Sequence, residues 1–438
     1  MAYSLGIFLR ERQVGTLNQD KNSGQLKITY LDAWQRNGYA ISTGLTLNNQ
    51  HTLTAAYNYL DNLLPEGEAR KLLAMDLGVS EKQVYPQIRE LGQDLSGAFS
   101  FTDSVPDLNA PPCFRLLGEA ELIERLNKKE DFGLLHWDDK PRLGVAGVQD
   151  KLNVFVTAQG DIGFGDGAYC STHILKFEKP NCEHLVLNEY ICMKLSSAIG
   201  LPTAEVAFKR FGSHPALLVT RFDRRLDQDS NRVLRRHVID GCQALNLSRD
   251  SKYERNLGDG RDVKHIRDGA NLQRLFALCE HTSSPVKSIQ WLINWQLFNL
   301  MISNYDSHGK NVSLYVSQDN FSFTPTYDLV NVSMFEQFKH ILAMAMGDEF
   351  EPKDIHAYQM ADFAETCDVD RKLVSRMLVS LANSVLQALN ERHFLIELFE
   401  QYTLSTEEHL YIDALLDNIK TRTTYLKSQA KDILIMAL

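Results

Sequence analysis

At 438 residues, 44% of them hydrophobic and 23% charged, the chain holds enough apolar sequence for two or three domains and a large buried core. A formal charge of -10 excludes recruitment of nucleic acid by overall charge, so a DNA contact would need a local basic patch or a basic partner. No apolar run approaches the ~18 residues of a membrane span, and charge at Arg10, Glu11 and Arg12 comes too early for a signal peptide, so the expected location is the cytoplasm.

Residues 1–107 open on strand-like pieces at 4–9 and 26–30, separated by the turn-forming Asp20, Lys21, Asn22, Ser23 and Gly24. Apolar spacing then predicts helices over 53–62 and 67–77. The Pro and Asp content of 103–112 reads as a linker and sets a domain boundary. In the next domain, 113–225, residues 151–156 and 173–177 read as strands, with 160–167 a glycine-rich turn between them. A helix is expected over 188–199, where Ile191, Leu195 and Ile199 lie four apart. Residues 216–222 read as a buried strand whose start is marked by Pro215.

From about 226 to 438 the pattern is mostly helical. The strongly apolar 289–303 feeds into a polar loop, 312–316 and 321–323 form a hairpin across 317–320, and the tail from Asp370 reads as helices of mixed charge. Seven cysteines are scattered, odd in number and never C-x-x-C. They read as reduced, mostly buried thiols and not as a disulfide framework or zinc site. A sheet-rich segment followed by a helical lobe predicts an α+β, two-lobed, kinase-like fold: an N-terminal subdomain at 1–107, an ATP-binding region at 113–225 and a helical lobe carrying the catalytic loop at 226–438. An unrelated α+β enzyme or binding protein is the alternative.

Asp306 and Asn311 are five positions apart, and Asp328 follows after the hairpin. That is the layout of a kinase catalytic loop, in which one Asp orients and deprotonates the acceptor hydroxyl while an Asn and a second Asp hold Mg²⁺ against the ATP phosphates. The D-x-x-x-x-N spacing is common by chance. Here an apolar helix on one side and a hairpin on the other would fix the loop between packed elements. Asn311 and Asp328 are hard oxygen ligands suited to Mg²⁺, although Asn311 equally suits a turn cap. His308 and Lys310 could touch phosphate or hold the loop's shape.

Lys176, in the middle of an apolar strand, needs an anionic partner. In a kinase that partner is phosphate, with a helix Glu as second ligand, and Glu189 is the candidate; snorkelling to solvent is the alternative. Small residues around Gly144, Ala146 and Gly147, ahead of a strand, would let backbone N–H groups approach phosphate. The segment matches neither glycine-rich nucleotide motif, and a plain tight turn would also account for it. Arg221, Arg224, Arg225, Arg232, Arg235 and Arg236 form a basic cluster against three aspartates in the same stretch; it could meet phosphate, a partner or nearby Asp residues, and it reads best as a solvated face.

Taken in order, residues 59–65, 145–151, 172–176, 188–190, 221–225, 252–254, 306–311 with Ser313, and 324–328 resemble the HipA family of bacterial serine/threonine kinases, the toxins of toxin–antitoxin pairs. The resemblance implies that Asp306 is catalytic and that Asn311 and Asp328 bind Mg²⁺. It further implies that Ala146, Gly147, Val148, Gln149, Asp150, Lys151 and Lys176 hold ATP phosphates, that Thr220, Arg221 and Phe222 fall at the adenine-contacting hinge, and that His308, Lys310 and Tyr327 belong to the nucleotide site. The implied partners are a HipB-like helix-turn-helix antitoxin, operator DNA reached mainly through it, and a glutamyl-tRNA synthetase as substrate.

Two positions depart from the family pattern. Gly144 stands where an autophosphorylated serine is familiar, and no Ser or Thr occurs over 141–156, so self-inactivation in that loop is not expected. Thr220 replaces a familiar acidic residue. A small-molecule phosphotransferase, which shares the Asp-to-Asn spacing, and a catalytically silent module gripping antitoxin and DNA are the rival functions. The intact Asp306, Asn311 and Asp328 argue against the silent module.

Overall fold

The computed structural model describes residues 2–107, 110–128, 134, 136–138, 140–142, 150–179, 181–318 and 320–438. The chain forms two compact units, one from residues 1–179, 209–249 and 313–321, the other from 180–208, 250–312 and 322–438.

The first unit begins with β1 (Ala2–Leu9), β2 (Arg12–Asp20) and β3 (Leu26–Tyr30), which with β4 (Phe99–Thr102) form an antiparallel sheet in the order β3-β2-β1-β4. β2 has no counterpart among the sequence expectations. Its alternation is thin, Val14 and Leu17 being the large apolar residues it buries, and it is set by pairing: Arg10 adopts a left-handed φ of 57° and folds β2 back so that Leu17 faces Leu5. The helix α1 (Leu53–Asn62), capped by the Thr52 side chain, buries Ala56, Tyr59 and Leu60.

A six-stranded sheet follows, built from β5 (Cys113–Leu116), β6 (Lys151–Val156), β7 (Ile162–Asp166), β8 (His173–Phe177), β9 (Val206–Phe211) and β10 (His214–Thr220), in the order β9-β10-β8-β6-β7-β5. The expected glycine-rich turn over 160–167 is mostly the strand β7. Its glycines mark close backbone approach: a Cβ on Gly163 would collide with the Arg115 carbonyl, and one on Gly165 would lie 2.8 Å from the Tyr169 Cβ. Beyond 226 the chain is mostly helical, as expected, and the expected hairpin over 312–323 is present. Three short strands come first, β11 (Arg224–Asp227) paired with β12 (Arg232–Arg235), and β13 (Val238–Asp240), which joins β14 (Ser313–Ser317) and β15 (Asn320–Phe323) in a separate sheet.

The second unit is helical. It contains α2 (Leu185–Ala198), α3 (Pro285–Met301), α4 (Arg371–Glu391) and α5 (Thr406–Gln429). α3 packs against α4 and α5. It buries Leu292, Ile293, Trp295, Leu297, Phe298, Leu300 and Met301, and the nearly continuous apolar circumference explains why it reads so strongly in sequence. Pro285 occupies its first turn, where the missing N–H costs nothing. Among the described residues no helix is long and apolar enough to cross a membrane. All seven cysteines are free thiols, four of them buried.

Candidate active site

In the second unit α3 ends at Met301, and Ser303, with a left-handed φ of 55°, turns the chain into the loop that carries Asp306. That turn is fixed by Val332, whose N–H donates to the Ser303 carbonyl at 3.1 Å, and by Asn304, whose side-chain amide donates to Asn299 Oδ1 at 2.8 Å and to the Asp328 carbonyl at 3.4 Å. Asp306 is exposed while Ser307, His308, Gly309, Lys310 and Asn311 are buried. Its carbonyl accepts from the His308 N–H at 2.8 Å and from Asn311 Nδ2 at 3.1 Å. The Asn311 amide is thereby oriented with Oδ1 as the oxygen left for a metal.

Tyr327 donates its hydroxyl to the Lys310 carbonyl at 2.7 Å, tying the segment of Asp328 to the segment of Asn311. Asp328 itself holds a left-handed φ of 58°, a conformation that costs a non-glycine residue ~1 kcal/mol or more and is kept where the surroundings over-determine it. The three residues singled out by spacing are thus held in one hydrogen-bonded constellation. Its donor set, a carboxylate and an amide oxygen, fits Mg²⁺, which takes a few protein oxygens and keeps water and phosphate for the rest. Sequence reasoning assigned no role to Tyr253, whose hydroxyl donates to Asp306 Oδ1 at 2.6 Å across 53 residues of chain. Glu189 lies fully buried on α2, next to Asn188, which exchanges hydrogen bonds with the backbone of Asn331.

The first unit holds the remaining candidates. Lys176 on β8 stands directly opposite Lys151 on β6, and Lys151 is buried while Lys176 is partly so. Like charges directly opposite are unfavourable in a sheet, so each of these lysines needs an anionic partner. Asp150 accepts the Phe177 N–H through its carbonyl. Thr220 closes β10 opposite His173, and the Phe222 carbonyl accepts from the Tyr315 hydroxyl at 3.2 Å. Gly144, Ala146, Gly147, Val148 and Gln149 lie outside the described residues.

The solvated basic face is overturned for its central members. Arg221 and Arg224 are buried, and both guanidiniums bond to Asp223, at 2.9 and 2.7 Å. Arg225 and Arg236 are exposed. Burial pushes the Asp223 carboxyl up, but Arg221, Arg224 and the Gly97 N–H outweigh it and hold the group well below the usual carboxylate range.

Two histidines in this unit are lowered to about 4 by burial: His173, and His237, whose hydrogen bond to the Ile41 carbonyl opposes the shift. Both are neutral in the fold and take up a proton in the unfolded chain below about pH 6.5. Their contribution is therefore whole above that pH and is lost as pH falls from about 6.5 towards 4, by at most about 1.4 kcal/mol per pH unit for each. Urea midpoints at pH 7, 6 and 5 should fall in that order, and a flat series would rule out the buried neutral imidazoles.

The sequence matches the family model described as HipA N-terminal domain over residues 5–102, and the HipA-like C-terminal domain over residues 143–389. It is 40% identical over 391 residues to a serine/threonine-protein kinase toxin HipA of Shewanella oneidensis, covering 89% of each chain. It is 28% identical to a putative kinase Y4mE of Sinorhizobium fredii, over 88% of this chain and 90% of that one. Among solved structures it is similar to the complex of HipA, HipB and operator DNA from Shewanella oneidensis MR-1, with a TM-score of 0.90 and 36% identity, over 99% of this chain and 100% of that chain.

Proposed function

This chain belongs to the HipA family and is a serine/threonine-protein kinase, and from that premise we propose that it is the ATP- and Mg²⁺-dependent toxin of a toxin–antitoxin pair. The observation that carries the chemistry is the bonding that ties Asn311 to the Asp306 carbonyl and the segment of Asp328 to the same loop through Asn304 and Tyr327. When bound, ATP with Mg²⁺ supplies the γ-phosphoryl group and the charge that offsets its transfer. Asp306 orients the acceptor hydroxyl and takes its proton at the carboxylate. Asn311 Oδ1 and the Asp328 carboxylate would hold the metal. Lys151, Lys176, Asp150 and the 146–149 segment would hold the phosphates, and Glu189 would keep the supporting role that the kinase resemblance implies. Thr220, Arg221 and Phe222 would form the adenine side, Arg221 through its backbone, since its side chain is committed to Asp223.

The proposed substrate is a glutamyl-tRNA synthetase, whose phosphorylation would arrest translation and growth. A HipB-like helix-turn-helix antitoxin is the proposed partner, with co-repression of the operon on operator DNA. The solved HipA of 36% identity lies in such an assembly, and a chain of charge -10 leaves most of the DNA contact to the antitoxin.

Purified protein incubated with Mg²⁺, γ-labelled ATP and a glutamyl-tRNA synthetase should label the synthetase, and an Asp306→Gln control should not. Label on the kinase alone would point to self-modification outside 141–156. Transfer to metabolites in place of proteins would replace this reading with the small-molecule phosphotransferase.

A further inference from the structure

We propose that Tyr253 is a positioning residue for the transfer: its hydroxyl fixes one carboxylate oxygen of Asp306 so that the other is presented to the acceptor. The inference rests on the kinase reading of the Asp306 loop and adds to it a residue that the spacing of that loop does not reveal.

The supporting geometry is local and belongs wholly to the second unit. Asp306 is exposed, and an exposed carboxylate on a loop is ordinarily free to rotate about its side-chain torsions. Here Oδ1 accepts a 2.6 Å hydrogen bond from the Tyr253 hydroxyl, a short contact of the kind formed by a hydroxyl on an ionised oxygen. Tyr253 is itself 37% exposed, so the bond is not one that burial demands.

What holds the phenol in place is the backbone on either side of it. The Lys252 carbonyl accepts from the Gly309 N–H at 2.9 Å. The Glu254 N–H donates to the Ala343 carbonyl at 3.0 Å, and the Ala343 N–H donates in turn to the Tyr305 carbonyl at 2.9 Å. Residues flanking Tyr253 are therefore tied to residues flanking Asp306 from both directions. Glu254 is buried and doubly engaged, by Arg267 Nε at 2.6 Å and by the Ala345 N–H at 2.8 Å. Gly269 lets its loop press against the Tyr253 carbonyl, where any Cβ would overlap the oxygen. The ring stands edge-on to the His308 imidazole, 5.2 Å between centroids at 88°, which sets its tilt.

This construction locks a rotamer of the group that meets the acceptor. Locking matters because a misplacement of about 1 Å at a reacting group costs on the order of 10²-fold.

The test is Tyr253→Phe beside wild type, with Tyr253→Ala and the double variant Tyr253→Phe/Asp306→Asn. The expected result is a kcat lowered roughly 10- to 100-fold, with KM for ATP and for the protein substrate within about two-fold and an unchanged thermal midpoint. Tyr253→Ala should lose no more than Tyr253→Phe. In the Asp306→Asn background, removing the hydroxyl should cost nothing further, because the two groups act as one unit.

An unchanged kcat, or a loss confined to KM, would overturn the inference. So would a much larger loss in Tyr253→Ala, which would assign the effect to ring packing on His308. A rise in kcat/KM would mean that the phenol occupies the acceptor's place. Wild-type protein inert towards every protein substrate would instead sink the kinase reading and take this inference with it.

Discussion

Asp306→Asn is expected to lower phosphoryl transfer by roughly 10²- to 10⁴-fold, the range associated with a positioned general base, while ATP binding stays largely intact. Asn is isosteric and keeps an oxygen for the Tyr253 hydroxyl, and the Asp306 carbonyl that receives His308 and Asn311 is unaltered. The loop should therefore keep its shape and lose only the negative charge that orients the acceptor and takes its proton. Lys176→Ala should differ in kind. It removes half of the cationic pair formed with Lys151, so nucleotide affinity and turnover should fall together. Labelled-ATP turnover and nucleotide titration on the two variants separate these effects, and full activity in Asp306→Asn would end the proposed mechanism.

Asp223→Ala is expected to destabilise the first unit by about 3–5 kcal/mol, the cost of leaving buried charge without its partner. Asp223 is 4% exposed and accepts from Arg221 Nε at 3.0 Å, Arg221 Nη2 at 2.9 Å, Arg224 Nη1 at 2.7 Å and the Gly97 N–H at 2.8 Å. Among the described residues, removing it leaves the two buried guanidiniums Asp94 as their carboxylate, 3.7 and 3.6 Å away and one-third exposed. One of these arginines also holds the chain ahead of β4: Arg224 donates to the carbonyls of Gly97 and Leu95, and the neighbouring Arg235 donates to those of Gln93 and Leu95. For a unit of this size the unfolding midpoint should drop by roughly 10 °C. A thermal melt of the variant within a degree or two of wild type would refute the network's importance. Asp223→Asn, which keeps the shape and loses the charge, should fall between the two.

Much of the fold was readable from local pattern. The strands at Lys151–Val156 and His173–Phe177, the helix at Leu53–Asn62 and the apolar helix ending at Met301 carry their apolar residues at the period their backbone requires. Where one period fails, the outcome depends on what lies across the sheet. Gly163 and Gly165 look like turn residues until Arg115 and Tyr169 are seen against them. β2 shows too little alternation to announce itself and exists because β1 and β3 flank it.

The candidate site divides along the same line. The five-residue spacing of Asp306 and Asn311, the position of Asp328 after a hairpin and the resemblance to the HipA family are properties of the chain, and the sequence by itself determined them, because short spacings and local periods survive without knowledge of any partner. Only the tertiary structure decided that Arg221 and Arg224 are consumed by Asp223, that Lys151 stands opposite Lys176, and that the hydroxyl on Asp306 comes from Tyr253. Each of those depends on which distant backbone a side chain meets, and charge type alone cannot tell an arginine bound for solvent from one that will be buried against a carboxylate.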